Sequence, residues 1–139
     1  MELATALPIA RGLDEHIFYS PTKAKTVCTS HVLAAFGIDP STYRYSGHHV
    51  QRVAILNRNG YCVRSRLSAL KGDTTVGAAR ARIRSFADPV GTRYMLVLVY
   101  GDSRHLILVD SQGETIIDTA PRSRDRRRVD SIHAIFPSV

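Results

Sequence analysis

Two short apolar segments separated by a polar turn constrain the fold of this chain more than any other feature. The segments are His105–Val109 and Thr115–Asp118, and Asp110–Gly113 between them has the composition of a tight turn. Strands joined in this way pair as antiparallel neighbours. Because a histidine begins the first strand and an aspartate ends the second, the hairpin predicts an imidazole beside a carboxylate. We expect the Nδ1–H of His105 to be donated to Asp118, with Asp110 as a rival at the turn.

The rest of the chain predicts helices first and strands afterwards. Apolar residues recur at helical spacing in three segments: about Cys28 to Phe36, Gly47 to Asn57, and Thr75 to Phe86. Alternating or apolar segments of strand length are Tyr61–Leu67, Tyr94–Tyr100 and Ser131–Phe136. This order predicts an α+β fold in which N-terminal helices pack on a C-terminal antiparallel sheet built as a meander. We expect a single domain, 1–139, with an irregular segment at 1–21.

Composition excludes several classes of protein. The longest apolar run, Tyr94–Tyr100, is too short to cross a bilayer, and the N-terminus lacks the basic and apolar regions of a secretory signal. We therefore expect a cytoplasmic protein with no membrane partner. Two cysteines are too few for a disulfide scaffold, and no His/Cys spacing matches a zinc site. No metal or other cofactor is expected.

The chain is basic, with a formal net charge of +7 at pH 7. The densest basic run, Arg122–Arg128, follows a proline and predicts an exposed loop. Such a loop is compatible with a solvated surface, an acidic partner or nucleic acid. Nucleic acid is the least favoured of the three, because the six Tyr and four Phe lie mostly in apolar contexts rather than on a stacking surface.

Cys28 is the candidate nucleophile. A thiol that attacks an amide needs easy ionisation, a base within hydrogen-bond reach, and a third group that orients the base. Cys28 is predicted in the first turn of a helix capped by Thr26, where the helix dipole favours a thiolate. We predict His105 as the base and Asp118 as the orienting group. His31 is a weaker candidate for the base, Cys62 is predicted to lie in the core, and His133 is expected to point outward.

These residues resemble the papain-like cysteine peptidases in the broad sense, and among them small papain-like or transglutaminase-like proteins of bacteriophages and prophages. The resemblance rests on three stretches: Cys28–Ala35, Tyr45–Tyr61 with Asn57-Arg-Asn-Gly-Tyr61, and His105–Thr119. It covers about Thr26 to Phe136.

The resemblance implies a papain-like fold and a thiol hydrolase that cleaves a peptide or isopeptide amide through Cys28, His105 and Asp118. The substrate would be a protein or peptide, and the basic run near Asp118 would favour an acidic one. Many family members carry a Gln or Asn shortly before the cysteine that helps bind the oxyanion, whereas Pro21–Val27 has neither. A non-catalytic binding protein on the same fold, such as a phage product that docks on a host protein, is therefore the alternative. A basic nucleic-acid-binding module ranks third.

Overall fold

A computed structural model describes residues 24–39, 49–67, 74–101 and 103–138 of the chain. Within these residues the helices are α1 (Ala24–Ala35), α2 (His49–Arg58) and α3 (Val76–Ile83). The strands are β1 (Tyr61–Leu67), β2 (Arg93–Tyr100), β3 (Ser103–Val109), β4 (Thr115–Ile117) and β5 (Val129–Pro137). The predicted α+β class is confirmed. The segment 1–21, expected to be irregular, lies outside the described residues.

The five strands form one antiparallel sheet in the order β1-β5-β2-β3-β4. The predicted meander is present in β2, β3 and β4, but the last strand does not extend it. Instead β5 lies between β1 and β2, with Ile135 on one face of the sheet and Ile132 and Ala134 on the other. A strand that is apolar on both sides is stable in the middle of a sheet, where both of its faces are covered.

Helices cover both faces of the sheet. On the first face, α1 and α2 pack over Met95, Val97, Leu106 and Leu108, and this face is called the α1 face. On the second face, α3 packs over residues that include Leu96, Leu98, Ile107 and Val109, and this face is called the α3 face. Adjacent residues of β3 therefore point to opposite layers, since side chains alternate along a strand.

Helix α1 is buried on all sides over its second half. Every residue from Thr29 to Phe36 is buried, including the polar residues Thr29, Ser30 and His31. The helix already includes Ala24, so Thr26 is not its cap and Cys28 lies beyond its first turn. Ala24 and Lys25 are good helix formers, which explains why the helix extends past Thr26. The dipole effect predicted for Cys28 is therefore weaker, since it fades after the first turn.

Helix α3 begins where the sequence places it. Thr75 is the N-cap, and its hydroxyl oxygen accepts a hydrogen bond from the Ala78 N–H at 3.2 Å. The helix ends at Ile83, before the predicted Phe86. In the described part of the chain, no helix has the length and apolar character needed to span a membrane.

Candidate functional site

The structure brings His105 and Asp118 into contact. The His105 Nε2 atom lies 2.9 Å from Asp118 Oδ1. The two side chains expose only 9% and 3% of their surface, so the pair is shielded from water. The contact arises because β3 and β4 pair as a hairpin, with Leu108 opposite Ile117, and Asp118 directly follows β4.

The nitrogen in this contact differs from the predicted one. Asp118 is bound to Nε2 rather than Nδ1. An ionised carboxylate only accepts hydrogen bonds, so neutral His105 carries its proton on Nε2. In the predicted triad, the His105 nitrogen that accepts the proton of the thiol is therefore Nδ1.

Arg127 is a third member of the site. Its guanidinium donates to Asp118 Oδ2 at 2.7 Å, while the backbone N–H of Ala120 donates to Asp118 Oδ1 at 2.8 Å. Burial raises the pKa of Asp118, but the hydrogen bonds from His105, Arg127 and Ala120 outweigh it and lower that pKa to about 2. Asp118 is therefore ionised throughout the pH range in which a thiol hydrolase works.

Arg127 also holds the loop that follows Asp118. The guanidinium binds the Asp125 carboxylate through Nε at 2.8 Å and donates from Nη1 to the Ala120 carbonyl at 3.1 Å. These hydrogen bonds raise the pKa of Arg127, and they outweigh burial in lowering the pKa of Asp125. Arg127 lies in the basic run that was expected to be an exposed loop. No local feature of the sequence separates Arg127 from Arg126 or Arg128.

Cys28 belongs to α1, and its side chain lies outside the described residues. The helix packs on Leu106 and Leu108, whereas His105 pairs with Leu98 and shares the α3 face with Ile107. A thiol on α1 therefore meets His105 only around the end of the sheet where β3 begins. The predicted triad therefore requires the Cys28 thiol to lie close to this end of the sheet.

The remaining candidates occupy different places. Asp110, the rival orienting group, accepts hydrogen bonds from the N–H groups of Gln112 and Glu114 at 2.8 and 3.0 Å, so it is a turn residue at the far end of β3 from His105. His31 is buried within α1. Cys62 has a free thiol and is only half-buried, contrary to expectation, because β1 is an edge strand.

His133 belongs to a second polar cluster, on the α1 face. It is buried rather than pointing outward, its Nε2 lies 2.8 Å from Ser131 Oγ, and its ring lies 4.3 Å from that of His49. Burial lowers its pKa to about 4, helped by the positive charges of His49 and Arg52 and opposed by Asp130. This imidazole is therefore neutral at pH 7. This cluster was not predicted from the sequence, because the central position of β5 depends on tertiary packing.

The described residues contain no group of three or more His, Cys, Asp and Glu side chains arranged to hold a metal ion. Chemically, the His105 site offers a buried imidazole whose orientation is set by an ionised carboxylate, which is in turn held by an arginine.

This chain was compared with known proteins. No family model, no curated protein and no solved structure matches it.

Proposed function

We propose that this protein is a papain-like thiol hydrolase that cleaves a peptide or isopeptide amide, with Cys28 as nucleophile, His105 as base and Asp118 as orienting group. The observation that carries the proposal is the buried contact of 2.9 Å between His105 Nε2 and Asp118 Oδ1. A carboxylate on one nitrogen fixes the tautomer that makes the other nitrogen a base. Helix α1, which carries Cys28, packs on the face of β3 opposite His105, so the proposed triad requires the two side chains to meet around the end of the sheet where β3 begins.

In this mechanism, Cys28 gives its thiol proton to Nδ1 of His105, and the thiolate attacks the carbonyl carbon of the amide. The imidazolium then donates that proton to the leaving nitrogen as the C–N bond breaks, which leaves an acyl group on the sulfur. A water molecule, deprotonated by His105, then attacks the acyl carbon. The C–S bond breaks, the carboxylic acid product leaves, and the imidazolium returns its proton to the sulfur. Asp118 keeps the ring in place and stabilises the imidazolium while it exists.

The test is the pH dependence of alkylation at Cys28. In a Cys62→Ser background Cys28 is the only thiol, and its rate with iodoacetamide is measured from about pH 5 to pH 9. An ordinary thiol has a pKa of about 8.5, and pairing with an imidazolium lowers it by one unit or more. We expect the alkylation rate to rise at a pH below the usual thiol pKa. In His105→Ala this rise should move to the usual thiol pKa, whereas in His49→Ala, the matched histidine control, it should stay where it is in the parent chain.

A second variant distinguishes a loss of His105 orientation from a loss of folding. Asp118→Asn keeps the shape of the side chain but presents an amide to the ring, and we expect it to slow alkylation at pH 7 while circular dichroism stays unchanged. An ordinary thiol profile in the parent chain, unaltered by His105→Ala, would exclude the triad.

The second candidate is a non-catalytic binding protein on the same fold. Two observations favour it: Asp118 is shared with Arg127, as in a structural ion-pair network, and His105 projects from the face opposite α1. In that case His105 and Asp118 only tie the loop after β4 to the sheet. The alkylation experiment distinguishes the two candidates, because the structural role predicts a Cys28 profile independent of His105.

A further inference from the structure

The loop of residues 119–128, here called the arginine loop, begins directly after Asp118 and ends at β5. Its C-terminal end is tied to the body of the protein by backbone hydrogen bonds. The Val76 N–H donates to the Arg127 carbonyl at 3.0 Å, and the Val99 N–H donates to the Arg128 carbonyl at 2.9 Å. The side chain of Arg127 binds Asp118 and the Ala120 carbonyl, which fixes the N-terminal end. The loop is therefore held at both ends next to His105.

Burial along the arginine loop separates one arginine from the others. Arg127 is buried, with 8% of its surface exposed. The other four arginines of the loop are exposed: Arg122, Arg124, Arg126 and Arg128. The Asp125 carboxylate binds the Arg127 guanidinium. The loop has five arginines and one carboxylate, so its exposed side carries an excess of positive charge.

We propose that the arginine loop is a docking surface for an acidic segment of a polypeptide partner, and, since this rests on the proposed function, that the partner is the substrate of the same site. Guanidinium groups bind carboxylates in paired hydrogen bonds, which suits aspartate and glutamate side chains. Because both ends of the loop are held, little backbone freedom is lost when a partner docks. The loop starts at Asp118, so an acidic segment bound there places the neighbouring chain beside His105.

A polypeptide fits this surface better than a nucleic acid. Proteins that bind single strands combine basic groups with exposed aromatic rings on which bases stack. Across the described residues, the exposed large apolar side chains are Val50 and Val90, and neither is aromatic. Within the described residues, the surface therefore offers positive charge without exposed aromatic rings for base stacking.

The test is a binding measurement in a Cys28→Ala background, which removes turnover. The probe is a short fluorescein-labelled peptide of alternating Glu and Ala, followed by fluorescence anisotropy, with the matched Gln–Ala peptide and a labelled DNA duplex as comparisons. The loop variant is R124Q/R126Q. The control is R58Q/R64Q, which makes the same change in net charge at two exposed arginines outside the loop.

We expect the Glu–Ala peptide to bind, the Gln–Ala peptide to bind more weakly, and R124Q/R126Q to weaken the Glu–Ala peptide about tenfold, while the control changes Kd less than about twofold. Affinity should also fall as salt is added, because exposed charges are screened. Equal losses in the loop variant and the control would overturn the proposal. So would tighter binding of the DNA duplex with the same loss in the loop variant.

The alkylation and binding experiments can exclude either proposal without excluding the other. If Cys28 has an ordinary alkylation profile but peptide binding depends on the loop, the docking surface stands and the hydrolase does not. If Cys28 is activated by His105 but the loop variant binds the peptide as well as the parent does, the hydrolase stands and the docking surface does not.

Discussion

At the scale of single residues, the centre of the site is one carboxylate that accepts from three donors. Asp118 binds the His105 ring, the Ala120 N–H and the Arg127 guanidinium, with 3% of its side chain exposed. A buried charge of this kind persists only when it is paired, because desolvation would otherwise raise its free energy by several kcal/mol. Arg127 is thus required both for the charge state of Asp118 and for the position of the loop after it.

We predict that Arg127→Ala lowers the free energy of unfolding by about 3 kcal/mol, because it leaves Asp118 and Asp125 without their shared cation. Urea unfolding measures this directly. Arg126→Ala, an exposed neighbour, is the control and should change stability by less than about 0.5 kcal/mol. If the two variants unfold at the same urea concentration, Arg127 is not a buried partner of the carboxylates in solution.

The His105–Asp118 contact was accessible from the sequence, whereas Arg127 was not. Hairpin register follows from the length and composition of the turn, so the pairing of an early residue of β3 with a residue after β4 is a local consequence of the chain. The role of Arg127 depends on a loop that crosses the α3 face, and no local pattern encodes that path.

At the scale of elements, the turn between β3 and β4 shows how a hairpin is joined to a helix. Gly113 has a φ of +81°, and a Cβ atom there would lie 3.1 Å from the Arg80 carbonyl oxygen. The Arg80 side chain in turn donates to the Gly113 carbonyl, and its Nη2 lies 2.7 Å from Thr115 Oγ1. Glycine is needed at this position for two reasons, a left-handed backbone and close contact with α3.

Gly113→Ala should therefore destabilise the protein more than a change that adds backbone strain alone. We expect a loss of about 2–3 kcal/mol in the free energy of unfolding, measured by urea titration. Gly91→Ala is the matched control, because Gly91 has a φ of +87° with open space around it, and it should cost about 1 kcal/mol. Equal losses for the two variants would show that the packing against α3 adds nothing.

The strands were predicted more accurately than the helix of Cys28. Tyr61–Leu67 was predicted with the observed bounds, and β2 differs from its prediction by one residue at its start. Strand ends are marked locally by Gly, Asp and Pro. The start of α1 was misplaced because Thr26 is a good cap in isolation, whereas Ala24 and Lys25 before it are good helix formers.

At the scale of the whole molecule, the sheet separates two polar clusters. His105, Asp118 and Arg127 lie on the α3 face, and His133, Ser131 and His49 lie on the α1 face. Each cluster contributes its own pH dependence to the stability of the chain. The groups that face His133 are Ser131, His49, Arg52 and Asp130, and their combined effect with burial keeps its imidazole neutral.

We predict two steps of acid destabilisation. The pKa of His133 is about 4 in the folded chain and 6.5 in the unfolded chain, so the unfolded state binds more protons between these values. Stability is then complete above pH 6.5 and decreases by about 3 kcal/mol as the pH falls to 4. For Asp118, with a folded pKa of about 2, stability is present above pH 3.8 and decreases as the pH falls toward 2.

Urea unfolding at a series of pH values measures both steps. His133→Gln should reduce the first step, to which the lowered pKa of His49 also contributes, and leave the second. Asp118→Asn should reduce only the second, to which the lowered pKa values of Asp88 and Asp125 also contribute. A first step of the same size in His133→Gln would assign it to another group.

The sequence by itself determined the α+β class, most strand positions and the neighbouring placement of His105 and Asp118. These features depend on side-chain periodicity and turn chemistry, which act over a few residues. Only the tertiary structure decided that β5 enters the middle of the sheet, that His133 is buried, that Arg127 holds Asp118, and that α1 and His105 lie on opposite faces. These features come from packing between segments far apart in the chain, where burial of apolar surface outweighs local preference.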